Sequence, residues 1–313
     1  MDISELMVKA AWLYHVEGLT QAQIAERMNL TRRRVNELLS EALASGLVRV
    51  TFTSPLTENV RLEGKLREAF GLDEAMVVST PADQDLLHAV LGRAASAFLD
   101  RIIEVRQPRS IGVGWGSTLR ETVHQMTRRP MPHIEVFSMM GGLTRGAEIN
   151  TFDIVRRFAE VLDAKCHYFA APIYADSEAS RDLIVEQPVF KDLLQKAASV
   201  DLSFLSVGDL TGKSLQVRYG LPVKANTEDL VASGAVGDLL GHYLDDGGHP
   251  TPHPLNRQVI SPDLESYRRI GNRIIASGGI HKRRILGAAL RGKLATALVT
   301  DADTARWLLE ISR

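Results

Sequence analysis

Three arginines in a row, Arg32, Arg33 and Arg34, stand two residues before Asn36. These side-chain types read base edges, since arginine pairs with guanine and asparagine with adenine through two hydrogen bonds each. Thr31 precedes the run, and Thr20 and Gln21 lie a short helix upstream. Hydroxyl and amide groups at helix starts suit phosphate oxygens. A second set of residues suits a small polar ligand. It comprises Gly114-Trp115-Gly116-Ser117-Thr118, then Gly141-Gly142, then Gly278-Gly279 followed by Lys282. Glycines let a ligand approach the main chain, the start of a helix offers free N–H groups to an anion, and Ser117 and Thr118 add hydroxyls. Lys282 would start a helix, an unfavourable place for a cation unless an anion shares it.

Each feature has a plainer reading. An arginine run alone is usually a solvated helix face, and Lys282 beside Arg283 and Arg284 could be the same. A lone Gly-x-Gly is weak evidence; three glycine turns that each follow an apolar run are stronger. Trp115 could line a pocket or fill core. Asp209, Asp238 and Asp301 could be caps or structural hydrogen-bond acceptors, and Asp245 lies in Asp-Asp-Gly-Gly, which is turn chemistry. His242, His249 and His253 lack the cysteine or acidic spacing of a metal site, so no metal is expected. Cys166 reads as a buried small hydrophobe. Ser206 and Ser277 do not sit in a Gly-x-Ser-x-Gly turn.

The elements that must hold the first set are two short helices. Thr20 and Gln23 form a capping-box pair, and Ile24, Ala25 and Met28 face inward. Asn29-Leu30 makes the turn, because asparagine tolerates a left-handed backbone. Thr31 caps the next helix, whose apolar stripe is Val35, Leu38, Leu39, Ala42 and Leu43, and Gly46 ends it. This is a helix-turn-helix, with Arg32, Arg33 and Asn36 at the end that enters a major groove. Residues 47–52 could form a wing or a covering strand.

The second set belongs to a larger block in which apolar runs alternate with helical periodicity. Strands are expected at 75–78, 110–115, 135–140, 166–171, 202–207, 273–276 and 295–299. The clearest helix carries Leu87, Val90, Leu91, Ala94, Ala95, Phe98, Leu99, Ile102 and Ile103 on one face. Such alternation predicts an α/β domain with parallel strands covered by helices. The expected organisation is a helix-turn-helix domain over 1–53, a linker over 54–59 containing Pro55, and an α/β domain over 60–313. An amphipathic helix from Val60 would end at Gly71.

The bulk numbers fit this division. The chain has 313 residues, 45% of them apolar and 24% charged, with a formal net charge of −1. No global basic field draws it to nucleic acid, so DNA binding must come from a local patch. One cysteine excludes an intrachain disulfide framework. An acidic start without a signal-peptide pattern, and no apolar run of membrane-spanning length, point to the cytoplasm and away from a membrane.

Taken together, these segments resemble the SorC/DeoR-type sugar-binding transcriptional regulators. Leu19-Thr20-Gln21-Ala22-Gln23-Ile24-Ala25 and Thr31-Arg32-Arg33-Arg34-Val35 match the family's DNA-binding domain. Six further motifs follow in order: Ile111–Leu119 around Gly114-Trp115-Gly116, Met140-Gly141-Gly142-Leu143, Ala235-Val236-Gly237-Asp238, Tyr243-Leu244-Asp245-Asp246-Gly247, Gly278-Gly279-Ile280-His281-Lys282, and Ala288-Ala289-Leu290-Arg291-Gly292 with Thr300-Asp301. The resemblance implies a C-terminal fold like those of sugar-phosphate isomerases and CoA-transferases, used for sensing. It implies no cofactor, a homotetramer, double-stranded operator DNA as partner, and a sugar, polyol or sugar-phosphate effector. It also implies that Lys282 meets the effector and that Asp245 contacts sugar hydroxyls. The stretch 166–172 resembles polyol-catabolism regulators such as those for erythritol. The rival reading is a sugar-phosphate isomerase-like enzyme that carries a DNA-binding domain, for which no convincing acid–base pair is visible.

Overall fold

Thr20 does start a helix. Its side chain accepts the Gln23 N–H and the Gln23 side chain accepts the Thr20 N–H, so both halves of the capping box are made. The structure, a computed structural model, describes residues 3–48, 57–143, 151–222 and 224–312. It divides into two units, Met1–Thr57 and Glu58–Arg313.

The first unit holds α1 (Ile3–His15), α2 (Gln21–Met28) and α3 (Arg32–Ala44). Between α2 and α3, Asn29 takes the left-handed conformation at φ 51°, and Leu30 donates its N–H to the Ala25 carbonyl at 2.8 Å. Thr31 then accepts the Arg34 N–H at 3.2 Å, starting α3. Ala10, Ala11, Leu13, Ile24, Ala25, Val35, Leu38, Leu39 and Ala42 form the core of this bundle. Ala25 is small enough to let α2 and α3 approach closely. Leu43, expected inside, is 47% exposed, because it falls at the edge of the stripe. Of the run 47–52, only Leu47 and Val48 lie within the described residues, so the expected wing is outside them.

The second unit opens with α4 (Thr57–Phe70). Residues 57–59, read as linker from sequence, are instead its first turn, where the acidic Glu58 suits the helix dipole and also meets Arg306 at 2.8 Å. Gly71, at φ +66°, stops the helix as expected.

Seven parallel strands follow: β1 (Glu74–Val78), β2 (Ser110–Val113), β3 (Glu135–Ser138), β4 (Lys165–His167), β5 (Leu202–Leu205), and, after a small antiparallel pair β6 (Gly237–Leu239) and β7 (His242–Leu244), β8 (Asn272–Ala276) and β9 (Ala297–Asp301). The main sheet runs β1-β9-β8-β5-β2-β3-β4. Its strands are apolar on both faces. Ile274 and Ala276 point into one cluster with Phe98, Leu99 and Phe158, while Ile275 points into the other with Leu286 and Tyr267. That is the pattern of a parallel sheet covered on both sides. The helices α5 (Leu87–Arg106), α6 (Ser117–Gln125) and α7 (Thr151–Leu162) contribute to the first cluster.

From β2 the chain goes to β3 on one side, whereas β5, the neighbour on the other side, leads on to β8. The strand order therefore reverses between β2 and β5, and open α/β sheets bind ligands in the crevice beyond the strand ends at such a point.

Candidate functional site

On the first unit, the start of α3 is exposed. Arg32 and Arg33 face solvent, and the Arg33 side chain keeps 91% of its accessible surface. Its Nε lies 3.2 Å from Glu37 Oε1, and Arg34 Nη1 lies 3.1 Å from Glu37 Oε2. The two guanidinium groups, Arg34 first, hold the Glu37 carboxyl below the usual range. Arg34 is half-buried and leans along its helix toward Glu41, so it is less available than Arg33. Asn36 is exposed and accepts a hydrogen bond from Gln21 Nε2 at 3.2 Å, which joins the start of α2 to the face of α3. Thr20 and Thr31 spend their oxygens as helix caps.

On the second unit, a cavity of about 240 Å³ lies at the strand-order reversal. Gly114, Trp115, Gly116 and Ser117, leaving β2, form one side, and Leu205 to Asp209, leaving β5, form the next. His88 of α5, the loop from Lys213 to Gln216, Asp238 of β6, and Ile280, His281 and Lys282 add to it, with Asp85 and Met140 among the rest of the lining. One glycine is forced here and another sits close to its neighbour. Gly116 takes φ +130°, and a β-carbon on Gly114 would meet the Leu205 methyl Cδ2 at 2.8 Å, so that side chain would have to yield. Gly116 also opens α6 and, having no side chain, leaves the first N–H groups of that helix without a side-chain cap of its own.

The charges in the cavity are close to balanced. Burial pushes the Lys282 ammonium down, while Asp209 and Asp238 pull it back. Burial pushes Asp238 up to about 6, against the Gly241 N–H and Lys282. Burial likewise pushes His88 down to about 4, and Lys282 and His281 add to it. His88 Nδ1 lies 3.1 Å from Thr118 Oγ1. His281 is lowered by burial, with Asp209 opposing.

Of the residues expected from sequence, Gly114, Trp115, Gly116, Ser117 and Lys282 line this cavity. Trp115 also packs against both hydrophobic clusters, so it does both jobs considered for it. Thr118 is buried behind the lining. Gly278 and Gly279 stand one step before it: the Gly279 N–H goes to Asp301 Oδ2 at 2.8 Å, which aims His281 and Lys282 inward. Gly141 and Gly142 are elsewhere. The first fits closely over the Pro172 carbonyl, and the second borders a different cavity with Tyr174 and Tyr219. Asp245 is not in the lining either. Its carboxylate accepts the His249 N–H at 2.9 Å inside a turn, so the plainer turn reading describes its place. Asp209, Asp238, His88, Lys213 and Gln216 line the cavity without having been singled out as ligands. Their signal was faint: Asp209 follows an apolar run, as Ser117 does, and Asp238 stands inside the Ala-Val-Gly-Asp motif. Cys166 is half-buried, not fully buried as expected.

Shifted groups such as Asp238 and Lys282 serve catalysis and ligand binding alike. Similarity to known proteins separates the two. A family model described as a putative sugar-binding domain matches residues 54–310, and one described as sigma-70, region 4, matches residues 8–45. The chain is 29% identical over 305 residues to the erythritol catabolism regulatory protein EryD of Brucella abortus, covering 97% of this chain and 96% of the relative. It is 27% identical over 308 residues to the deoxyribonucleoside regulator of Bacillus subtilis, covering 97% of each. Among solved structures, the full-length sorbitol operon regulator SorC of Klebsiella pneumoniae superposes with a TM-score of 0.75 at 26% identity, covering 97% of this chain and 98% of the other. All three are regulators, and the enzymatic alternative gains no support from them.

Proposed function

The chain belongs to the family of transcriptional regulators that carry this sugar-binding domain, and we infer that its effector is a phosphorylated polyol or sugar held in the cavity at the ends of β2 and β5. It is a DNA-binding regulator and not an enzyme. The observation that carries the effector reading is the meeting of an uncapped helix start at Gly116-Ser117 with the Lys282 ammonium in one cavity. N–H groups and a cation suit a phosphate, and the cost of placing Lys282 at a helix start is offset by that anion. Gly114, Trp115 and Gly116 shape the phosphate end. Asp209 and Asp238 supply acceptors for hydroxyls. Thr118, Gly278 and Gly279 act from behind the lining, and Gly141, Gly142 and Asp245 have structural roles. The name of the Brucella relative favours a four-carbon polyol as parent compound.

At the other end of the chain, Arg32, Arg33 and Asn36 read bases, while Arg34, Gln21, Thr20 and Thr31 set the helix against the backbone. Helix-turn-helix readers work in symmetric pairs on half-sites, so a homotetramer of two such pairs, working in the cytoplasm, fits the operator. The effector changes operator affinity through its differential affinity for two arrangements of the assembly.

The test is thermal unfolding and operator binding of the purified protein with and without four- to six-carbon polyols, sugars and their phosphates. Stabilisation by a phosphorylated compound, together with altered operator affinity, is the expected result. Lys282→Ala should remove that stabilisation and leave operator affinity without effector unchanged. Stabilisation by the unphosphorylated compounds alone, or a Lys282→Ala protein that responds normally, would overturn the phosphate assignment.

A further inference from the structure

Gln216 heads a single π turn, Gln216–Gly220, on the wall of the effector cavity. Such turns are rare and concentrate at functional sites. The residue is 3% exposed, and its Nε2 and Oε1 lie beside the Tyr174 and Tyr243 hydroxyls without a hydrogen bond of good geometry to any described residue. A buried primary amide with neither end well bonded is unfavourable unless something outside the protein completes it. The turn also makes room for it. A β-carbon on Gly220 would stand 2.8 Å from Gln216 Oε1 and 3.1 Å from Nε2.

Its neighbours share the deficit. Asp238 lines the same cavity, and its Oδ1 has no partner, although Oδ2 accepts the Gly241 N–H at 3.1 Å. The Tyr243 hydroxyl is buried beside Asp238, Tyr174 and Gln216 and likewise makes no hydrogen bond of good geometry among the described residues. The Tyr174 hydroxyl, by contrast, is committed to the Gly241 carbonyl at 2.6 Å. Poorly satisfied donors and acceptors therefore sit side by side on neutral and acidic groups. This is the complement of a chain of hydroxyls, each of which must donate once and can accept.

We propose that Gln216 is a specificity-determining residue that reads adjacent hydroxyls of the effector, its Nε2 donating to one and its Oε1 accepting from the next, with Asp238 accepting from the same chain. This rests on the cavity being the effector site and adds what the effector must present to this wall: at least two neighbouring hydroxyls. A deoxy compound leaves the amide half-satisfied and is rejected, because a buried polar group without its partner discriminates more strongly than a missing apolar contact.

The experiment is titration calorimetry of the full chain with erythritol 4-phosphate, ribitol 5-phosphate, each of their singly deoxygenated analogues, and inorganic phosphate as an anion-only probe. The wild type should bind a polyol phosphate and reject at least one of its deoxy analogues by about tenfold or more. Gln216→Met, similar in length and apolar, should bring that ratio to within about twofold, and Gln216→Asn, which withdraws the amide by one carbon, should lower it as well. Inorganic phosphate should bind all three proteins alike. An unchanged ratio in both variants overturns the assignment. So does a wild type indifferent to deoxygenation, or a parallel loss of inorganic phosphate binding in both variants, which marks collapse of the cavity. A wild type that binds none of the probes overturns the effector reading itself and this one with it.

Discussion

Gly208 and Asp238 exchange two main-chain hydrogen bonds, at 3.0 and 2.8 Å, and the Asp238 carboxylate occupies the space that a β-carbon on Gly208 would need. The bridge pins the start of the β6–β7 pair to the end of β5, and the missing side chain lets the carboxylate turn into the cavity. Gly208→Ala should therefore displace Asp238. The expected cost is about 1–3 kcal/mol of stability, as for overpacking at a close contact, with loss of the effector's effect on operator binding. Calorimetric unfolding and an operator titration check both. A variant with wild-type melting and response would show that the carboxylate has another way in.

The arginines of α3 differ in what they are free to do. Arg33 is almost wholly exposed, whereas Arg34 is half-covered and faces Glu37 and Glu41. Arg33→Ala should reduce specific operator binding by about 1–3 kcal/mol with a change in base preference at one position. Arg34→Ala should weaken all sequences alike. A binding-site selection on each variant distinguishes them, and the same altered preference in both would contradict this division.

Asn29 holds its left-handed turn with its own N–H directed back to the Glu26 carbonyl at 3.2 Å. Asn29→Gly should be tolerated or slightly stabilising. Asn29→Val, a branched residue in a region it avoids, should cost about 1–2 kcal/mol. Because α2 and α3 are set by this turn, the valine variant should also lose operator affinity. Hydrogen exchange at Ile24 and Val35 would report the loosened bundle.

His242 is buried, with Nε2 at 3.1 Å from both the Pro262 carbonyl and the Ser261 hydroxyl. Burial pushes it down from its ordinary 6.5 to about 4, against the Pro262 hydrogen bond and Asp263. A depressed pKa means that its contribution is complete above pH 6.5 and is lost as the pH falls toward 4. The loss is on the order of 3 kcal/mol. Asp238, pushed up to about 6, works in the opposite sense: its contribution is complete below its unfolded value near 3.8 and is lost as the pH rises through 6. In His242→Gln the destabilisation between pH 6.5 and 4 should shrink, and in Asp238→Asn the loss between pH 4 and 6 should disappear. Denaturant unfolding across that range reads both, and an unaltered pH profile in either variant would show that its residue does not titrate as described.

The helix-turn-helix was legible almost residue by residue, because caps, turn and stripe are local and each is a short-range rule. The seven parallel strands were also visible as apolar runs, but several were read too long at the carboxyl end. At 139–140 the reason is plain: Met139 and Met140 stay buried after the chain has left the ladder, so hydrophobicity outlasts pairing. The β6–β7 pair was missed because its strands are three residues each and its turn puts Leu240, an unusual choice, at φ +57° before Gly241. The cavity was half legible. Glycines after strands could be recognised one at a time, whereas Asp209, Asp238, His88 and Gln216 arrive from four separate segments and meet only through the sheet order. Asp245 shows the converse: a motif can mark a turn as surely as a ligand.

Glu37 stands between Arg33 and Arg34 in the free protein and is bonded to both. If α3 reads the operator as proposed, that helix carries its own counter-ion before any DNA arrives. Engaging DNA would then exchange the Glu37 carboxylate for a phosphate or a base edge at the two guanidinium groups. Random sequence, offering only phosphate, would gain little over the carboxylate already there. An operator, offering a base edge as well, would gain more, and part of the selectivity would then reside in an acidic residue that need never touch the DNA.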